Sequence, residues 1–206
     1  FSGVAGALIC GVMIGGFYAL GPVYATLVGL DVARTSTFMA SAIVAAMILA
    51  WPLGRLCDRF DRRRVMFWIA LVAASAAGGV GVLGAGNAWL LTLLVGVFTG
   101  LSAALYPVAV AITNDRMEST RIVAASATLL LSYGVGSVIG PVVMAELINL
   151  LGPKGLFFGN AGFLLLLLLP LSAACERYVG LDFSAISLQH IRDRLAGATG
   201  AVQVNP

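Results

Sequence analysis

The sequence has 206 residues, 60% of them hydrophobic and only 10% charged, with a net charge of +3 and a mean hydropathy of +1.02. Water-soluble domains carry about 25% charged residues, so this chain has too little polar surface to cover a water-facing exterior. Lipid is the solvent that fits. At about 20 apolar residues per helical crossing, the length provides for about six spans and their connections.

Charged residues mark off these spans along the chain. The expected spans cover about 2–30, 36–53, 65–83, 88–113, 122–151 and 156–174, and a polar tail follows at 176–206. Continuous apolar runs of this length predict helices, because a closed barrel shows alternation instead. The fold class expected is therefore an all-α membrane protein with a six-helix transmembrane part, 1–175, and a separate tail. The first span opens at Phe1 rather than Met and has no basic segment before it. It is too long and wrongly flanked for a signal peptide, and a piece of a longer polypeptide is expected.

Lys and Arg set the orientation. With the N-terminus inside, ten of them (Arg55, Arg59, Arg62, Arg63, Arg64, Arg116, Arg121, Arg177, Arg192 and Arg194) fall on the inner side, against Arg34 and Lys154 outside. Both termini are expected in the cytoplasm, and the membrane is expected to be an inner or plasma membrane. Cys10, Cys57 and Cys175 are odd in number and lack metal-ligand spacing. They read as small packing residues, and no metal site is expected.

Glycines recur at four-residue spacing inside the spans, as Gly11 and Gly15, Gly96 and Gly100, Gly136 and Gly140, and Gly155 and Gly159. Such pairs mark close helix contacts in lipid, within one chain or between two copies. A short internal echo joins Tyr18-Ala19-Leu20-Gly21-Pro22-Val23 to Ala104-Leu105-Tyr106-Pro107-Val108. With spans one and four running in opposite directions, Pro22 and Pro107 fall near opposite faces. A three-plus-three inverted repeat with broken helices near a substrate path has this pattern.

The densest signal is the run Gly54-Arg55-Leu56-Cys57-Asp58-Arg59-Phe60-Asp61-Arg62-Arg63-Arg64, read as an inner loop between spans two and three. Headgroup anchoring explains the arginines. It does not explain Gly54 at a helix end, or Asp58 and Asp61, which oppose anchoring. On Gly54, Asp58, Arg59, Arg62 and Arg63 the chain resembles the major facilitator superfamily, whose signature lies in this loop of each six-helix half. Asp61 departs from it, standing where the family has a second Gly. The resemblance implies that these five residues form a conformational latch in which Asp58 pairs with an arginine and rests on the start of a neighbouring helix. Gly134 to Pro141 resembles the fifth-helix motif of antiporter-type members, which implies packing or gating roles for Gly136, Gly140 and Pro141, alongside Pro22 and Pro107. The run from Leu105 through Arg116 to Ser126, with the tail, is similar to the C-terminal half of the YcaD-like branch. The N-terminal half is the alternative.

What the resemblance implies is a secondary transporter of small solutes working by alternating access, with the missing six-helix half of the same polypeptide as partner. No nucleic-acid partner and no cofactor are expected, beyond a coupling ion such as a proton. Tyr18, Tyr24, Tyr106 and Asn114 are the candidate cavity residues, with packing aromatics as the alternative for the tyrosines. Tyr133, Ser132 and Thr128 are weaker candidates. Glu146 is the one acid well inside a span and reads either as an interface acid or as a coupling carboxylate. Gly79 to Gly84 fits a dinucleotide fingerprint but lacks the strand and the acid that would support it. Leu188, Ile191 and Leu195 have the spacing of a short surface helix, and His190 reads as a solvated tail residue. Two rivals remain, a membrane-embedded enzyme and a non-transporting scaffold or receptor. An enzyme is not expected, because acids, His and Cys do not cluster at one membrane depth.

Overall fold

A computed structural model describes residues 2–83, 88–115 and 122–169. Six helices run through them: α1 (Ser2–Leu27), α2 (Val32–Arg59), α3 (Arg62–Leu83), α4 (Ala88–Asn114), α5 (Ile122–Leu151) and α6 (Gly155–Leu169). The first five are each long and apolar enough to cross a membrane, and α6 is a shorter apolar helix. The bundle forms one unit, and a second unit, Leu171–Pro206, lies outside the described residues. The tail helix expected around Leu188 and the inner-side arginines at 116 and 121 lie outside them too.

Local chemistry sets the ends. Gly29 takes φ 83°, which lets the Leu30 amide donate back to the Ala25 carbonyl at 2.9 Å and closes α1 in a left-handed cap. Asp31 then caps α2 by accepting from the Arg34 amide at 2.8 Å. At the other end of α2 the structure corrects the expected boundary. The helix continues past Leu53 through Gly54 and Asp58 to Arg59, and the expected loop shrinks to Phe60 and Asp61. Arginine is a good helix former, and Arg59 in the last turn complements the negative end of the helix dipole. Asp61 begins α3, its carboxylate accepting from the Arg63 amide at 2.7 Å and the Arg64 amide at 3.3 Å. That cap accounts for an acid where the resembling family has Gly.

The expected breaks at Pro22 and Pro107 are not observed. Both prolines, like Pro52 and Pro141, lie inside uninterrupted helices. Each removes one helical hydrogen bond and leaves the helix continuous.

Packing follows the glycines. The most extensive contact is α1 on α5, the next α2 on α4, and α3 lies against α4. A Cβ added at Gly15 would stand 2.6 Å from the Ser137 carbonyl oxygen, and one at Gly16 3.1 Å from that of Gly140. Gly136 and Gly140 meet the α1 backbone at Leu8 and Val12 in return. Gly11, Gly15, Gly136 and Gly140 thus serve contact within the chain, and Gly96 and Gly100 do the same for α4 against Ala45 of α2. The Thr99 hydroxyl, bonded to Val95, also lies 3.2 Å from the Ala42 carbonyl across that second seam. Near the Leu27 end of α1, the buried rings of Phe17, Tyr24, Phe38, Phe98 and Phe157 join α1, α2, α4 and α6.

Gly15→Ala is expected to destabilise the detergent-solubilised protein, because the clash is with backbone. Gly134→Ala, with open space around it within this bundle, is expected to gain up to about 1 kcal/mol of helix propensity when the chain is studied by itself. Thermal unfolding of the two variants checks the opposite signs.

Candidate functional site

Two places on the bundle gather the residues singled out in the sequence. The first is a cleft of about 320 Å³ between α2 and α4, lined among others by Gly54, Cys57, Asp58, Arg62, Pro107 and Ala111. Small side chains leave the space, and Asp58 and Arg62 supply its charged end. The ion pair here differs from the expected one. The Arg62 guanidinium donates to both carboxylate oxygens of Asp115, at 2.7 and 2.5 Å, and ties the start of α3 to the end of α4. Asp58 makes no ion pair among the described residues, because Arg62 is drawn across to Asp115 instead. Both partners are partly exposed, at 34% and 57%, so the pair contributes no more than about 1 kcal/mol to stability.

Of the five expected latch residues, Gly54, Asp58 and Arg62 meet in the cleft. Arg59 and Arg63 do not line it. A Cβ at Gly54 would meet nothing within 4 Å, so no close approach within this bundle explains the glycine.

The second place is an aromatic face. The rings of Tyr106 on α4 and Tyr133 on α5 lie 4.7 Å apart at a tilt of 48°. Both tyrosines are half-buried. Tyr18 stands on the exposed side of α1, 38% accessible. The paired rings of Tyr106 and Tyr133 and the exposed ring of Tyr18 stand on three helices that pack on one another, α4, α5 and α1. Close packing at Gly11 and Gly15 brings Tyr133 and Ser137 against α1, so the glycine seam positions this face.

Tyr24 is a correction. It is buried to 1% accessibility, with its ring 4.8 Å from that of Phe157, and it packs in the core rather than lining a cavity. Helical spacing separates it from Tyr18 by six residues, which turns it to the other side of α1. Asn114 exchanges 3.4 Å contacts with Ser126 and so bridges α4 to α5. Glu146 is exposed on α5. At roughly 140° around the helix from Tyr133 and about 20 Å along it, it stands apart from the tyrosine face.

Two residues of these candidate sites escape the sequence reading or rank low in it. Asp115 was passed over, although an acid directly beside Arg116 at an inner helix end was its signal. Tyr133 ranked below the other tyrosines, and only the pairing of the Gly136 helix with α1 brings it forward.

The Major Facilitator Superfamily model matches residues 4–177. An "Uncharacterized MFS-type transporter YcaD" of Escherichia coli (strain K12 / DH10B) is 33% identical over 179 residues, covering 81% of this chain and 43% of the relative. An "Uncharacterized MFS-type transporter" of Enterobacter sp. (strain 638) is 31% identical over 172 residues, with the same coverage. The chain spans less than half the length of these relatives. Its helices are those of a multi-pass membrane protein, and the chain belongs to the major facilitator superfamily.

Proposed function

We propose that this chain is one six-helix half, the C-terminal one, of a secondary transporter that moves small solutes across an inner or plasma membrane by alternating access. The observation that carries the reading is the open face of Tyr18, Tyr106 and Tyr133 on α1, α4 and α5. It offers stacking surface and hydroxyls to a solute, and it lies on a chain that covers less than half of its transporter relatives. The missing half supplies the opposite wall. Two features support its place. The helices α2 and α5 bury the smallest share of their apolar windows, and each carries a glycine, Gly54 or Gly134, with open space around it. Both are surfaces on which a second bundle can seat.

An inverted repeat is supported by spacing. Gly11, Gly15, Pro22 and Val23 of α1 recur in the same order and intervals as Gly96, Gly100, Pro107 and Val108 of α4. Exchanging the first three helices for the last three also turns the α1–α5 seam into the α4–α2 seam, the two largest contacts. Within this reading the Arg62–Asp115 pair is the latch, formed in one rocking state and opened in the other. Its small contribution to stability suits that role. Glu146, away from the tyrosines, acts as an interface acid, and a coupling proton is carried by the other half.

The inner-side arginines support cytoplasmic termini. A membrane-impermeant maleimide should then label Cys57, half-buried in the cleft, from the cytoplasmic side alone, and leave Cys10 unlabelled. Labelling of Cys57 from outside would reverse the orientation.

Transport by the full-length polypeptide in proteoliposomes should lose solute affinity about tenfold in Tyr106→Ala and Tyr133→Ala, the scale of one lost aromatic contact. Tyr24→Phe, which keeps the core ring, should stay within about twofold of wild type. Arg62→Asp and Asp115→Arg should each slow turnover, and the charge-exchanged double variant should recover it. Equal transport in all of these variants would remove both assignments.

A further inference from the structure

Pro22, Pro52, Pro107 and Pro141 lie inside helices, and each withholds the amide that would bond the carbonyl four residues before it. The carbonyls released are those of Tyr18, Ile48, Ala103 and Ser137. At membrane depth a carbonyl without a partner cannot face lipid, and it is tolerated only against protein or water. Two of the four are already placed. The Ser137 oxygen is closed over by Gly15, where even a Cβ would stand 2.6 Å away. Tyr18 lies on the face given to the solute. Ile48 is exposed on α2, the helix that offers a surface to a second bundle.

Ala103 is different. Both it and Pro107 line the cleft between α2 and α4, and a helical carbonyl points toward the residue four ahead, so the released oxygen borders the cleft. It stands about 17 Å along α4 from Asn114, near the middle of a hydrocarbon core about 30 Å thick. Of the lining residues, only Cys57 and Arg62 carry a side-chain donor. Arg62 is engaged by Asp115. Cys57 lies nearer the mouth. Gly100 meets Ala45, and α2 and α4 both end beside Arg62, which puts Ala103 level with Ile48 and Cys57 about 13 Å farther toward that end. The walls between them are alanine, leucine, valine and glycine, which bring no donor to the oxygen.

We infer that the cleft is an aqueous pocket, open to the cytoplasm past Asp58 and Arg62, in which water donates a hydrogen bond to the Ala103 carbonyl near the middle of the membrane. Its volume of about 320 Å³ has room for several waters at about 30 Å³ each. Asp58 makes no ion pair among the described residues, so its carboxylate holds water at the mouth. An acyl chain would suit the apolar walls but leave the carbonyl orphaned, which lipid does not tolerate. A second bundle seated at Gly54 would close the side of the cleft and leave its charged end as the entrance. The inference rests on the orientation proposed above.

The test uses the full-length polypeptide with its cysteines, Cys10 and Cys57 included, replaced by alanine, in membrane vesicles whose cytoplasmic side meets a charged methanethiosulfonate (the ethyltrimethylammonium reagent). This reagent modifies thiolates in water and does not enter lipid. Ala111→Cys, at the mouth, should react and show that the cleft is formed. Ala103→Cys should react at least about tenfold faster than Val72→Cys, an exposed position at similar depth on α3, because a thiol in apolar surroundings does not ionise. Pro107→Ala returns an amide to the Ala103 carbonyl and should slow the reaction of Ala103→Cys at least about threefold. Reaction at 111 without reaction at 103 overturns the pocket. In that event modification at 103 by a neutral, lipid-soluble maleimide identifies an acyl chain as the occupant, and its absence identifies the second bundle. An unchanged rate with Pro107→Ala overturns the part given to the carbonyl. Cys57 labelling in the unsubstituted chain reports the orientation independently. A cytoplasmic Cys57 with a silent position 103 therefore counts against the pocket alone.

Discussion

The structure depends on how closely two helix backbones can approach where water drives nothing together. In lipid, side chains on separated helices are as well solvated as side chains in contact, so association rests on van der Waals packing and interhelical polar contacts. The α1–α5 seam meets this demand by omitting side chains. Gly11, Gly15 and Gly16 face Gly136 and Gly140, with backbone against backbone. The α2–α4 seam repeats the device with Gly96 and Gly100, and adds the Thr99 hydroxyl facing the Ala42 carbonyl. A larger side chain at these positions separates the helices, and every surface that depends on their spacing moves with them.

The tyrosine face is one such surface. Tyr133 comes from α5, Tyr18 from α1 and Tyr106 from α4, and no two of them are neighbours in sequence. What brings them together is the glycine seam one helical face away. The cleft depends on the other seam in the same way. Half of its lining is alanine and glycine from α2 and α4, and Asp58 and Arg62 supply its charged residues. The buried aromatic cluster around Phe17 and Phe157 closes the opposite end of the bundle. One end is therefore packed with rings, while the other carries a cleft with a partly exposed ion pair.

Much of the fold was legible in the sequence because the bilayer imposes a length. The fifth span, expected at 122–151, is helical over Ile122–Leu151, and the fourth differs by one residue. The connection after the second span was read as a loop from Gly54 to Arg64, because charge was taken as the end of the helix. Charge ends the membrane rather than the helix, and arginines extend α2 to Arg59 without strain. The prolines misled for a related reason. A proline costs one hydrogen bond, and a long helix packed on its neighbours continues past it. Site residues were less legible. Tyr24 and Tyr18 share a helix and a composition, and only the positions of Phe38 and Phe157 decide which of them is core. The partner of Arg62 lies 53 residues away, and no local spacing points to it.

The choice of Asp115 over Asp58 has a physical logic. Asp58 lies within the last turn of α2, where the helix carbonyls concentrate negative potential, and it lies among arginines already drawn to that end. A further pairing within the same hairpin would join segments that a two-residue connection already holds. Pairing Arg62 with Asp115 instead ties the start of α3 to the end of α4, the helix it packs against. A pair exposed to solvent at both partners gains little when it forms and loses little when it opens, so it leaves neither state deeply trapped. About 1 kcal/mol still changes the ratio of two conformations several-fold. An interaction of that size is too weak to hold a fold together and large enough to bias a rocking equilibrium, the part that the proposed mechanism asks of it.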